Sequence, residues 1–290
     1  LQQFASAPKT WRNYLRHGLF VLRVIAFAAL VVVLARPQET ENWTEKDAKG
    51  INIMLALDVS SSMLAEDFTP NRLEASKNIA MQFISGREND KIGLVVFSGE
   101  AFTQCPLTVD HAVLMNYFKE VKSGMIEDGT AIGVGLATAV NRLKDMDNPS
   151  KVIILLTDGE NNKGQISPKD AAGLAREFGI RVYTIGVGSR GKAPYPVQTP
   201  FGKQYRNVEV KIDEAVLKDI ANATEGAYFR ATDNQKLQAI YQEINQMEKA
   251  RVKTRKLSQT KEHYLRFAWL ALLVIVLEVI LRNTVLRTIP

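Results

Sequence analysis

Four near-continuous apolar runs limit most strongly what this chain can fold into: INIMLALD (51–58), KIGLVVFS (91–98), KVIILLTD (151–158) and RVYTIGVG (181–188). A strand that is apolar on both sides has no face to offer water, so these runs predict a parallel sheet covered by helices on both faces. The sequence between them supplies the helices. NRLEASKNIAMQFISG (71–86) carries a stripe at Leu73, Ala80, Phe83 and Ile84, with Pro70 near its start and Gly86 at its end. Further helices are expected at 110–122, 131–146, 168–178 and 213–224, and a long one from 234 onward. AFTQCPLT (101–108) reads as an edge strand, where Pro106 is tolerated, and GAYFRA (226–231) as a short strand. The expected fold class is α/β, a doubly wound, mostly parallel sheet over residues 50–245. Residues 189–209, rich in Gly, Pro, Lys and Tyr, form an insertion expected to be a flexible loop or hairpin.

Two apolar segments flank this domain. Residues 19–35 are apolar except for Arg23, and 267–281 except for Glu278. At helical rise these cores cover roughly 26 and 22 Å, short of a bilayer's ~30 Å unless Arg16, His17 and Arg282 snorkel. They are read as transmembrane helices over 18–36 and 267–286; buried core helices, or a signal peptide for the first, are the alternatives. Segments flanking one soluble domain should run antiparallel, which places Arg23 and Glu278 at similar depth. An intramembrane charge needs a partner, so the two are a candidate ion pair; the competing reading pairs Glu278 with Arg282 one turn on.

Between Lys249 and Arg266 lie Lys249, Arg251, Lys253, Arg255, Lys256, Lys261 and Arg266 against only Glu262. Beside an apolar segment, this run (246–266) reads as a juxtamembrane helix meeting lipid headgroups. No aromatic-interleaved basic platform points to nucleic acid. Residues 1–17 form a basic N-terminal segment, 37–49 a linker and 287–290 a tail. Cys105 is the only cysteine, which excludes an intramolecular disulfide.

In doubly wound sheets, ligands sit beyond the carboxyl ends of the strands, where the strand order reverses. Asp58-Val59-Ser60-Ser61-Ser62 follows the first strand, Asp158-Gly159-Glu160 follows the run 151–158, and Gly129-Thr130 precedes a helix. Carboxylates and hydroxyls without His or Cys suit a hard divalent ion such as Mg²⁺, or Mn²⁺ or Ca²⁺. Asp58, Ser60, Ser62, Thr130 and Asp158 are the candidate metal ligands. The competing reading makes them helix N-caps.

These residues resemble the metal-ion-dependent adhesion site of the von Willebrand factor A family, which combines Asp-x-Ser-x-Ser with a separate Thr and a separate Asp. The resemblance covers roughly 50–245. It implies that Asp58, Ser60 and Ser62 contact the metal, that Thr130 and Asp158 act directly or through water, and that a protein partner donates an Asp or Glu. LALDVSSSMLAEDFTPNRLEASK, IGLVVFSGEAFTQCPLT and DEAVLKDIANATEGAYFRATDNQKLQAIYQEI resemble more narrowly the BatA and BatB (Bacteroides aerotolerance) membrane proteins. That likeness implies a bacterial inner-membrane complex with other Bat proteins and a MoxR-type AAA+ ATPase. It also implies a further span before Leu1. Thr224-Glu225-Gly226 departs from the Thr-Gly-Gly expected in that subgroup.

His17, His111 and His263 are the only histidines and make a Ser–His–Asp arrangement improbable. No phosphate loop, Gly-x-Ser-x-Gly elbow or Cys-x-x-Cys is present. Gly133-Val134-Gly135 lies within a helix and reads as packing. The chain is therefore read as a binding module, not an enzyme. The alternatives are a metal-dependent phosphohydrolase using Asp58, which would want an acid where Ser60 stands, and a structural anchor with a vacant site. Lys9, Arg12 and Arg16 place the N-terminus in the cytoplasm and the domain in the periplasm, although the run 249–266 argues the other way.

Overall fold

The computed structural model describes residues 11–35, 38–39, 50–147, 150–200, 202–257, 261–262 and 264–284. The first ten residues, the linker apart from 38 and 39, and the tail 287–290 lie outside the described residues. The chain divides into two units, one of Leu1–Trp43 with Lys253–Pro290 and one of Thr44–Val252.

In chain order the elements begin with α1 (Trp11–Leu34) and β1 (Gln38–Glu39). The domain then runs β2 (Asn52–Asp58), a 3₁₀ turn (Ser61–Leu64), α2 (Arg72–Ser85), β3 (Lys91–Phe97), β4 (Ala101–Thr108), α3 (His111–Glu120) and α4 (Ile132–Leu143). It continues through β5 (Lys151–Thr157), α5 (Pro168–Glu177), β6 (Ile180–Val187), β7 (Lys192–Thr199), β8 (Gly202–Glu209), α6 (Glu214–Ala223), β9 (Tyr228–Ala231) and α7 (Asn234–Leu257). The last elements are β10 (Lys261–Glu262) and α8 (Tyr264–Asn283).

The six-stranded sheet has the order β4-β3-β2-β5-β6-β9. All its pairings are parallel except that of β4, which runs antiparallel to β3 at the edge. The apolar runs explain this arrangement, since β2 is buried at every residue and β3, β5 and β6 at nearly all. Alternate residues feed two cores. Ile53, Leu55 and Leu57 join Leu73, Ile84, Leu237 and Ile244 of α2 and α7, whereas Met54 and Ala56 join Leu136, Ala139 and Leu217 of α4 and α6. Of the stripe on α2, Leu73, Ala80 and Ile84 are buried, while Phe83 packs at the margin.

Strand order reverses between β2 and β5. From β2 the chain builds outward through β3 to β4, and from β5 it builds the other way to β6 and β9. A ligand crevice is therefore expected beyond Asp58 and Thr157. The glycines of α4 pack closely, as read from sequence: a Cβ on Gly133 would lie 2.0 Å from the Ile166 carbonyl, and one on Gly135 2.7 Å from the Phe97 ring. Opposite the crevice, Glu248 of α7 ties the helix to the sheet. It accepts from Tyr183 Oη at 2.6 Å and from Arg181 Nε at 2.9 Å.

The insertion is an ordered two-stranded hairpin, β7–β8. The expected single helix over 246–266 is divided: α7 ends at Leu257, and Lys261–Glu262 pair antiparallel with β1. In the terminal unit α1 and α8 pack together. The β1–β10 pair joins the C-terminal end of α1 to the N-terminal end of α8, so the helices run antiparallel. Their buried residues are small (Ala26, Ala29 and Ala271), which lets the backbones approach. Arg23 Nε donates to Glu278 Oε1 at 2.7 Å. Among the described residues α8, with mean hydropathy 2.3, is long and apolar enough to cross a membrane, and α1 carries the shorter apolar stretch Phe20–Leu34. Of the expected pair of spans, α8 is the one that meets the length of a span among the described residues.

Glu225 adopts φ 55, a left-handed conformation, just before Gly226, where a Cβ would lie 1.9 Å from the Val182 carbonyl. The departure from Thr-Gly-Gly therefore carries strain of roughly 1–2 kcal/mol. Glu225→Gly is expected to stabilise the domain by about 1 kcal/mol and to raise its melting temperature by about 2–4 °C, read by thermal denaturation of the full chain in micelles. An unchanged or lower melting temperature would show that the turn is not strained.

Candidate metal centre

The site forms because β2 and β5 both end in oxygen-bearing residues on either side of the strand-order reversal. Asp58, the last residue of β2, and Asp158, just past β5, are fully buried. The Asp58 carboxylate holds the following turn in place: Oδ1 accepts the Ser60 N–H at 2.9 Å and Oδ2 the Thr157 hydroxyl at 2.6 Å. That turn brings Ser60 Oγ to 3.0 Å from Ser62 Oγ, and Ser62 Oγ donates to Asp158 Oδ1 at 2.6 Å. A chain of oxygens so links the end of one strand to the end of the other.

Thr130 comes from a third stretch. Its N–H donates to Asn162 Oδ1 at 2.8 Å and its carbonyl accepts from the Asn162 N–H at 3.0 Å, so two loops clamp each other. Gly129 beside it has φ 141, and a Cβ there would fall 2.6 Å from the Lys163 side chain. Only glycine lets the chain deliver Thr130 past that lysine. Thr130 then lines the same depression as Ser62, Asp158, Gly159 and Glu160. All five candidate ligands therefore gather at one end of the sheet.

The capping reading does not describe these side chains. Ser60 stands at the N-cap of the 3₁₀ turn without making a capping hydrogen bond, and the cap residue of α4 is Ala131. Asp158 precedes a loop, and Ser167 caps the helix that follows it. Among the described residues no three His, Cys, Asp or Glu side chains cluster as a cation cage. A cation here would depend on the hydroxyls of Ser60, Ser62 and Thr130 beside two carboxylates.

Burial and the charge of Asp158 push the Asp58 carboxyl up to about 7, against the hydrogen bonds from Ser60 and Thr157. Burial also raises Asp158, although Arg72 and Ser62 oppose the shift. The Asp158 charge is felt at Asp58 because burial leaves too little water to screen it.

Sequence reasoning missed Arg72. This buried side chain donates from Nη1 to Asp158 Oδ2 at 2.7 Å, and from Nε and Nη2 to the two oxygens of Asp67, each at 2.7 Å. Burial works against the Asp67 charge, but Arg72 and the Ser189 N–H outweigh it and hold the carboxyl below its usual range. One clue was available: Arg72 opens α2, and a cation at a helix N-terminus opposes the helix dipole unless an acid pairs with it. Asp128 was likewise unassigned. It accepts both the N–H and the hydroxyl of Ser61, at 2.9 and 2.7 Å, and so ties the serine turn to the Thr130 loop.

The comparisons with known proteins agree with this geometry. The sequence model of the von Willebrand factor type A domain matches residues 52–243. An uncharacterised protein of Borreliella burgdorferi is 30% identical over 274 residues, covering 93% of this chain and 80% of its own. The solved structure of the conserved hypothetical protein BatB from Bacteroides thetaiotaomicron superposes with a TM-score of 0.61 at 36% identity, covering 69% of this chain and all of that one. An aerotolerance-related membrane protein from Bacteroides fragilis gives 0.60 at 33% identity, with the same coverage. The chain belongs to the von Willebrand factor type A family, beside the Bacteroides BatB and aerotolerance-related proteins.

Proposed function

We propose that the chain is a membrane-anchored module that binds a protein partner through a divalent cation held by Asp58, Ser60, Ser62, Thr130 and Asp158. One observation carries this reading: buried carboxylates stand on both sides of the strand-order reversal, held by hydroxyls that are not used as helix caps. Hard oxygen donors of this kind favour Mg²⁺ over a softer ion. When bound, the cation would supply a positive centre for an outside carboxylate. Asp58 and Asp158 supply the charge, while Ser60, Ser62 and Thr130 supply neutral donors that leave the ion electron-poor. Three carboxylates (Asp58, Asp67 and Asp158) stand against the single guanidinium of Arg72, a balance suited to a doubly charged ion. The partner is then a protein presenting Asp or Glu.

We further read α8 as the membrane anchor, with α1 beside it and Arg23–Glu278 as an ion pair at the level of the bilayer. The likeness to BatB and to an aerotolerance-related membrane protein supports a bacterial inner membrane as its place and other Bat-type proteins as neighbours. A MoxR-type ATPase as a further partner, and a periplasmic position of the domain, extend the same reading. No catalytic step is assigned.

Isothermal titration of the full chain in micelles with Mg²⁺ should detect one site. Asp58→Ala should weaken it by roughly 100-fold or more with the circular dichroism unchanged, whereas Ser60→Ala and Thr130→Ala should stay within about tenfold because water replaces a hydroxyl. Heat of binding that survives Asp58→Ala would remove the metal role.

The pH dependence has a defined sign. Burial and the Asp158 charge push the folded Asp58 carboxyl up to about 7, above the ordinary carboxylate range. The metal-free fold therefore loses this group's contribution as pH rises from about 4 through 7. A cation needs the deprotonated form, so Mg²⁺ should raise the melting temperature more at pH 8 than at pH 6. Equal shifts at the two pH values would contradict the assignment of Asp58 as a ligand.

A further inference from the structure

The hairpin β7–β8 presents two unlike edges. Pro194 turns its carbonyl away from β8 and accepts the Glu66 N–H at 2.8 Å. In an antiparallel pair the outward and inward residues alternate, so Lys192, Pro194, Pro196 and Gln198 all face away from β8. The two prolines therefore cost the hairpin no ladder bond, and they leave the outer edge of β7 without two N–H donors. By the same register Lys203, Tyr205, Asn207 and Glu209 turn their N–H and C=O groups outward on the far side of β8. Among the described residues no hydrogen bond reaches those backbone groups. Every residue of β8 but Val208 is exposed. Natural sheets protect such edges, and this hairpin protects only one of its two.

The open edge leads into the candidate metal centre. Val208, Glu209, Val210 and Lys211 line the depression that also holds Ser62, Thr130 and Asp158. The hairpin segment 189–211 is basic, with Arg190, Lys192, Lys203, Arg206 and Lys211 against Glu209. Like charges oppose pairing of two copies of this edge and favour an acidic strand.

We propose that the partner binds as an extended acidic segment that adds a third strand to β8 and delivers its carboxylate to the cation at the end of that strand. This deepens the metal-dependent reading and rests on it for the carboxylate, but not for the strand. Main-chain hydrogen bonds to Lys203, Tyr205, Asn207 and Glu209 give affinity, and the basic side chains give the preference for acid.

The test uses the full chain in micelles and a labelled synthetic peptide of alternating threonine and glutamate ending in aspartate, followed by fluorescence anisotropy with Mg²⁺ or with chelator. The expected result is Mg²⁺-dependent binding, with slowed hydrogen exchange at the Tyr205 and Asn207 amides. The same peptide N-methylated on alternate amides should lose binding. Asn207→Pro, which removes one outward donor, should weaken binding by about three- to tenfold while calorimetric Mg²⁺ affinity is unchanged. Failure of the parent peptide to bind, or equal affinity of the N-methylated peptide, or unslowed exchange at both amides, would overturn the strand proposal and leave the metal reading standing. Binding with edge protection that persists in chelator would keep the strand and remove the metal. Protection that appears without peptide and grows with protein concentration would assign the edge to a second copy and overturn the proposal.

Discussion

Two buried carboxylates, Asp58 and Asp158, stand at the carboxyl end of the central sheet, and the surrounding loops are arranged around them. An unpaired buried charge costs several kcal/mol, so Asp58 and Asp158 persist only because each is met from several sides. Asp58 takes a backbone N–H and a hydroxyl, and Asp158 takes a hydroxyl and a guanidinium. The donors come from the serine turn, from β5 and from the start of α2. Each donor also orders the loop it stands on, so the turn at Ser60–Ser62 and the register of α2 follow from satisfying these charges. A cation would relieve the remaining repulsion, and its affinity for the site is in part the energy that folding could not recover without it.

Much of this could be read from the sequence because it rests on local chemistry. Apolar runs such as INIMLALD announce buried parallel strands, and a carboxylate at the end of two of them announces the crevice. What could not be read depends on distance across the fold. Arg72 looks like any charged residue at a helix start until the sheet brings Asp158, 86 positions away, within 2.7 Å. Asp128 stood in the recognised Asp-Gly-Thr segment, but its hold on Ser61 exists only once two loops meet. The basic run after Lys249 misled for a different reason. Helix propensity continues through it, yet Lys261 and Glu262 are taken up by β1, a partner more than two hundred residues earlier.

The terminal helices show the same contrast between composition and contact. Hydropathy finds α8 among the described residues, but composition alone does not say what either terminal helix packs against. The placement of Ala26, Ala29 and Ala271 is what lets the pair pack, since helices in an apolar solvent gain from close backbone approach and not from burying oil in oil. Arg23 and Glu278 then match across the pair, which the antiparallel arrangement requires once their positions along each helix are counted.

The proposed ligand set also bears on what would bind. Neutral hydroxyls would leave a cation short of negative charge, so an outside carboxylate would gain most at such a site, but one carboxylate cannot choose among proteins. Choice has to come from the walls. On one side the wall is the short 158–162 loop that clamps Thr130; on the other it is a hairpin whose first strand is closed by prolines and whose second is open along its length. A flexible loop in that place would pay ordering entropy at each binding event, whereas a hairpin whose Pro194 carbonyl is held by Glu66 has paid it on folding. The basic residues along it keep the open edge soluble while turning away strands of their own kind.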